Sequence, residues 1–437
     1  MPSQPPRHLN SFLYTFCIAL IAFFVFSALA HAEEKPVILT LGEAIELAVR
    51  DNRDILLNQE KLAQARLKIQ EAKSGFLPEV NLSSTAARTR GLYRKDITQY
   101  STSAGIKQYL YKGGETVNTL RQSRYKTDVQ EEVLAKTIDE IILEVRKAFY
   151  TLLIAQEFIQ MNQGVLENSA RHLESQSLRY EKGEASESEV LKAKSSLSEA
   201  KSLYESSLNQ QDTAYALLKN LLYLEEKTNI EIKGDFEYTP RELAIDEAIL
   251  KALSFRPEIR QYEAQAQADK ASIEIARAGN RPSVYGSFDY YSRSTTQLTF
   301  SPSKGWQDYN VLGATLSWPI FDGWATKYKV EQAVSDFKQT QIIQNKLKVD
   351  IATQVKEAYL TLKTALAKLN PAKRDIELYE NNVKVIQARY KDGIASNLDL
   401  GDAQLAFLIS QFNHRQYLYD CLSAKAKLDK AMGVEIK

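Results

Sequence analysis

The chain has 437 residues, with 56 Lys and Arg against 55 Asp and Glu. This balance excludes the basic footprint of a nucleic-acid binder and the acidic block of a disordered tail. Residues 1–32 stand apart: Arg7 and His8 precede an apolar run from Phe12 to Leu29, and Ala30-His31-Ala32 has the small-x-small form of a cleavage site. The pattern is that of a secretory signal peptide, with a retained anchor helix as the alternative. Cys17 lies within the run rather than at its end, so no lipidated N-terminus is expected. Cleavage leaves Cys421 as the single thiol, no internal disulfide, and a stability that comes from packing.

From Leu41 onward the chain is written twice. Gly75 and Pro78 correspond to Gly279 and Pro282, and Ile55 to Ile259, all 204 positions apart; Gly113 corresponds to Gly323, Val145 to Val355 and Gly183 to Gly393, all 210 apart. The spacing divides the mature chain into a first repeat (33–226), a linker (227–242) and a second repeat (243–437), each a duplicated half-fold rather than a short solenoid unit. In each unit the order is helix, two strands, very long helix, tight turn, long helix. Gly-x-x-Pro stops the first helix, because Pro disfavours helix at the residue before it. Glu115 to Tyr180 contains no Pro, which predicts a rod of roughly 100 Å. Its apolar positions, Leu134, Ile138, Ile141, Val145, Ala148, Leu152, Ala155 and Ile159, advance by four and three, as does the set Ile351, Val355, Ala358, Leu362, Ala365 and Leu369. That is a left-handed coiled-coil seam. Asn370-Pro371 should interrupt and kink the second rod. The return helices are expected over 188–226 and 398–432, and the linker alternates as a short strand or hairpin at Ile230, Ile232, Phe236 and Tyr238.

The turns between rods repeat most clearly. Arg179, Tyr180, Gly183, Ala185 and Ser186 recur as Arg389, Tyr390, Gly393, Ala395 and Ser396. Gly accepts the left-handed backbone that ends one helix, and Ser caps the next. These are the tips of two helical hairpins, near 180–188 and 390–398.

Strands are expected over 79–90, 99–111, 283–295 and 309–321. In the second pair Val284, Gly286, Phe288 and Tyr290 alternate with Tyr285, Ser287, Asp289 and Tyr291, and Leu312, Ala314, Leu316 and Trp318 with Gly313, Thr315, Ser317 and Pro319. The length suits a membrane-spanning strand. Trp306, Trp318 and Trp324 fall in or beside this hairpin, with Tyr285, Tyr290, Tyr291 and Tyr309, a composition found in interfacial aromatic belts. A soluble sheet with an aromatic core is the competing reading. If the strands do span a membrane, four cannot close a barrel that needs about eight, and open edges are not tolerated in lipid. Several chains would then share one barrel, and three would supply twelve strands above twelve helical columns.

No catalytic set is visible. Past the leader the histidines are His172 and His414, at positions that do not correspond between repeats, and no phosphate loop, His-Glu-x-x-His or Gly-x-Ser-x-Gly is present. An enzyme is not expected, nor is a cofactor or metal. A soluble periplasmic coiled-coil scaffold explains the rods and tips but not the strands or the Trp placement.

Gly75/Pro78 and Gly279/Pro282, Arg256-Pro257-Glu258-Ile259, Tyr111-Lys112-Gly113-Gly114, Phe321-Asp322-Gly323 and the two tips, in this order and duplicated, resemble the TolC family of outer-membrane efflux proteins. The resemblance covers Leu41 to Gly433. It implies a mainly α fold with transmembrane β: a homotrimer of tandem-duplicated long helical hairpins forming a periplasmic α-barrel, with four strands per chain in a shared twelve-stranded barrel in outer-membrane lipid. It also implies a periplasmic adaptor and an inner-membrane pump as partners, with the tips (Arg179, Gly183, Ser186, Arg389, Gly393, Ser396) as the docking surface. Asp399 and Asp402 match the acidic pair around the periplasmic entrance; read without the family they are a solvated helix face. Tyr390 matches a gate residue that bonds an acidic residue of the first tip, here Glu189 beside Ser188, while the family's gate Arg falls on Ala395. Efflux of small molecules and type I protein secretion are both compatible with the chain.

Overall fold

The computed structural model describes residues 37–92, 95–234, 236, 238, 244–294 and 306–434. The expected signal peptide lies outside them. A short strand β1 (Val37–Leu39) leads into α1 (Leu41–Asp51) and α2 (Arg53–Ser74). Two strands follow, β2 (Glu79–Leu92) and β3 (Lys95–Lys112), then the long helix α3 (Glu115–Glu181) and its return α4 (Glu187–Leu222). After β4 (Ile230–Ile232) the second repeat runs α5 (Ile245–Phe255), α6 (Pro257–Arg277), β5 (Ser283–Ser294), β6 (Trp306–Ser317), α7 (Ala325–Lys391) and α8 (Asn397–Met432).

Both long helices have 67 residues, about 100 Å at 1.5 Å per residue. Four helical columns stand side by side. In the half near the strands the neighbours run α2–α3–α6–α7, and in the half near the tips α4–α3–α8–α7. The shorter helices α2 and α4 therefore stack end to end along one edge of the layer, while α7 forms the other edge.

The coiled-coil seam is deepest at its centre. Val145, Ala148, Leu152 and Ala155 are buried, whereas Leu134, Ile138, Ile141 and Ile159 are half-buried. The central stretch packs with Ala44 and Ala48 of α1, Leu218 and Leu222 of α4, and Leu39, Ile230, Ile232 and Phe236. A matching second core joins Ala248 and Ala252 of α5 to Ile351 and Val355 of α7 and to Leu428 and Met432 of α8. The duplication thus places one core at the waist of each rod. Cys421 of α8 is also buried, and burial pushes its thiol up to about 11.

The linker forms the first of its two expected alternatives, a short strand: β4 pairs in parallel with β1, Val37 opposite Ile230 and Leu39 opposite Ile232. The partner strand is some 190 positions away, so alternation in the linker alone does not reveal it. Pro371, expected to interrupt and kink the second rod, does not interrupt it. The helix continues from Ala325 to Lys391 with Pro371 inside it. One proline removes a single intrahelical donor, and the flanking seam residues Ala365 and Ala372 are buried, so packing carries the helix across the gap.

Candidate functional site

The four-stranded sheet has the order β2-β3-β5-β6, antiparallel throughout, with β2 and β6 as edges. Its register decides which side chains share a face. Val80, Ile106, Phe288 and Leu312 lie opposite one another in a single row across all four strands, and Leu82, Ala104, Tyr290 and Asn310 form the next. Val284–Leu316 and Gly286–Ala314 extend this face toward the helices. Gln108, on the same face, donates its amide to the Phe76 carbonyl at 3.1 Å. The other face carries the charges near the helices, with Glu79, Lys107 and Ser287 in one row, Asn81, Gly105 and Asp289 in another, and Thr85, Ser101, Arg293 and Gln307 further out; at that outer end Arg88 and Asp308 lie on the face of Val80 and Leu312.

The apolar face is uncovered. Leu82 is 79% exposed and Leu312 83%. Exposed apolar patches of this kind mark interaction surfaces, and among the described residues no helix packs extensively against it.

At the opposite end of the molecule the two tips have the same hydrogen-bond pattern. Gly183 N–H donates to the Tyr180 carbonyl (2.9 Å) and Glu184 N–H to that of Arg179 (2.8 Å); Gly393 and Ile394 donate likewise to Tyr390 (3.0 Å) and Arg389 (2.8 Å). Both glycines are left-handed, with φ of 73° and 72°. Ser186 then caps α4 and Ser396 caps α8, each in a capping box with the residue three positions on. In the first tip that residue is Glu189, whose carboxylate accepts from Ser186 N–H (2.6 Å) and hydroxyl (2.9 Å). In the second it is Asp399, accepting from Ser396 N–H (2.8 Å) and hydroxyl (2.7 Å). These bonds hold both carboxyls below the usual carboxylate range, so both are ionised at neutral pH. Asp402, also exposed, accepts from the Asn168 amide of α3 at 3.0 Å.

The chain matches the family described as outer membrane efflux protein over residues 44–222 and 248–434. It belongs to that family. Protein CyaE of Bordetella pertussis is 23% identical over 87% of this chain and 81% of its own length. The alkaline protease secretion protein AprF of Pseudomonas aeruginosa is 21% identical over 91% and 86%. Among solved structures, the CmeC outer membrane channel of Campylobacter jejuni superposes with a TM-score of 0.76 at 16% identity, covering 90% of this chain and 85% of that one. As an outer membrane efflux protein the chain is located in the outer membrane and spans the periplasm. Among its described residues no helix is long and apolar enough to cross a membrane.

In this efflux protein the aromatic residues do not act as one group. Trp306 shares its row with Ser294 and Tyr100 at the far end of the sheet. Trp318 follows β6 and donates its indole N–H to the Asn280 carbonyl at 3.1 Å. Trp324 precedes α7 with φ of 69°, its ring edge-on to Phe321 at 5.8 Å. A left-handed non-glycine residue costs roughly 1–3 kcal/mol, tolerated here at the sheet–helix junction. Twelve positions separate Trp306 from Trp318, which is roughly 40 Å of strand and roughly 30 Å of thickness at a 40° tilt. Of the four tyrosines read from the sequence with these tryptophans, only Tyr290 is on the apolar face; Tyr285, Tyr291 and Tyr309 are on the charged one.

Sequence reasoning missed Asn168. Its side chain fills the notch left by Gly401, since a Cβ there would meet Asn168 Oδ1 at 2.6 Å. Nearby, Leu408 of α8 fills the notch at Gly164 of α3. The two hairpins thus interlock through two glycines, neither repeated in the other half of the chain.

Proposed function

We propose that three copies of this chain close into one outer-membrane exit duct, fed from the periplasm by an adaptor and an inner-membrane pump. The segregated faces of the open sheet carry this reading: an apolar face suits lipid, a charged face suits an aqueous lumen, and the edges β2 and β6 cannot be left bare in lipid. The strand directions favour closure, because β6 of one copy beside β2 of the next continues the antiparallel alternation. Three copies give twelve strands and twelve helical columns in register. A family of efflux proteins and a relative named for protease secretion support either efflux or type I secretion as the setting. The chain's task is passive conduction, with cargo chosen by the pump. Chemical cross-linking in mild detergent is expected to stop at three chains. A monodisperse monomer under the same conditions overturns the shared barrel.

The tips are the adaptor-facing end of this duct, and Asp399 with Asp402 are its entrance ring. Three chains bring six carboxylates together, which attracts cations and most of all multivalent ones. Tyr390, 42% exposed, is the gate residue of this reading and Glu189 its partner, with Ser188 adjacent; a carboxylate has about four lone-pair sites, so the two bonds from Ser186 leave room for a phenol. Ala395 supplies no gate cation, and near the tips the Asn168–Asp402 bond ties one hairpin to the other. In planar bilayers the trimer is expected to be cation-selective and blocked from the periplasmic side by trivalent cations at low salt, with block fading as the Debye length shortens to about 10 Å at 0.1 M. Asp399→Asn with Asp402→Asn should abolish that block. Wild-type block in the double variant would place the pair off the channel.

A further inference from the structure

The charged face of the sheet holds Arg293 in a built setting. Tyr291 and Tyr309, directly opposite each other on β5 and β6, stack with ring centroids 5.1 Å apart and planes 16° from parallel. Arg293, two positions further along β5, lies over both, its guanidinium carbon 5.6 Å from the Tyr291 centroid and 5.5 Å from that of Tyr309. Both distances are within cation–π range. The row to which Arg293 belongs is Thr85, Ser101 and Gln307, which contains no carboxylate. The nearest acid on its own face and strand is Asp289, four positions toward the helices and roughly 13 Å away. Among the described residues no carboxylate pairs with Arg293. A second such cluster occurs at the other end of this face, where Lys107 lies 4.1 Å over Tyr285 and 4.6 Å over Tyr109. That lysine, however, has Glu79 directly across from it.

We propose that Arg293, steadied on Tyr291 and Tyr309, forms an anion-binding ring at the outer mouth of the channel. The proposal rests on the three-chain reading above, which turns one stacked guanidinium into three around an axis. Twelve strands 4.8 Å apart and tilted by about 40° enclose a backbone circle about 24 Å across. Side chains reaching inward from that circle come within one Debye length of the axis at 0.1 M salt, so three guanidinium groups act on one anion together. Stacking on tyrosine leaves the rim of the guanidinium, where its N–H donors lie, open to a phosphate, sulfate or carboxylate. The duct would then be acidic where cargo enters and basic where it leaves. Multivalent anions outside the cell are the ligands such a ring takes.

The test is single-channel recording of the full trimer with myo-inositol hexakisphosphate added to each side in turn at 0.1 M salt. Block is expected from the outer side only. Arg293→Gln should weaken it about tenfold or more, the loss of charge-assisted bonds from every subunit, while Arg293→Lys retains part of it. Gln307→Arg, which adds a cation to the same row, should strengthen block and so reads in the opposite direction. Channels that conduct normally but show no sidedness, or the same block in Arg293→Gln, overturn the anion ring and leave the duct standing. If the trimer carries no current at all, the duct reading falls and the ring falls with it.

Discussion

Leu312→Arg is expected to abolish membrane insertion, and Val311→Arg, one residue away, to be tolerated. Leu312 is in the centre of the apolar face, opposite Phe288, in the row that crosses all four strands. An Arg near the bilayer midplane of a β-barrel costs roughly 2–4 kcal/mol, and three copies bring about 6–12 kcal/mol to one assembly. That is comparable with the whole stability of a domain. Val311 is opposite Asp289 on the charged face, where an added guanidinium meets water and a carboxylate. Outer-membrane fractionation and heat-resistant trimer on gels read both variants. Equal behaviour of the two would mean that the faces are not divided between lipid and lumen.

Gly183→Pro and Gly393→Pro are each expected to abolish transport while the trimer persists. Proline fixes φ near −65°, against 73° and 72° at these positions. It also deletes the N–H that bonds the Tyr180 or Tyr390 carbonyl. Space is not the constraint, since a Cβ at either glycine would meet nothing within 4 Å. Gly→Asn, which tolerates the left-handed region, should therefore retain most transport. The sheet is about 100 Å away along the rods and is untouched, so under the three-chain proposal the detergent-extracted trimer should be unchanged. Normal export of cargo by both proline variants would remove the tips from the docking surface.

Much of this molecule is local and could be read from residues alone. The 3.5-residue seam through Val145 and Val355 specifies rods, because a helix shows its buried stripe at that period whatever it packs against. The tips are equally local: a left-handed glycine followed three residues later by a capping serine needs no partner outside the turn. Alternation read over 283–295 and 309–321 likewise marks two-faced strands and sorts Leu312 from Val311, although the second strand in fact runs from Trp306 to Ser317. The duplication then supplies the order of elements, and with it the family.

What the tertiary structure alone decided is which residues meet. Cross-strand register is set by pairings far apart in sequence, and a slip of one position moves every side chain to the other face. Only the paired strands bring Val80, Ile106, Phe288 and Leu312 into one row, and only they separate Tyr290 from Tyr291 and Tyr309 and place Arg293 over the latter two. The same is true of the strand formed by Val37 with Ile230, of helix continuity across Pro371, and of Asn168 reaching Asp402 over Gly401. The strand pairing joins residues about 190 positions apart and the Asn168–Asp402 bond residues 234 apart, while the helix through Pro371 depends on packing from an adjacent column. A linear pattern carries the period of an element but not the identity of what lies across from it.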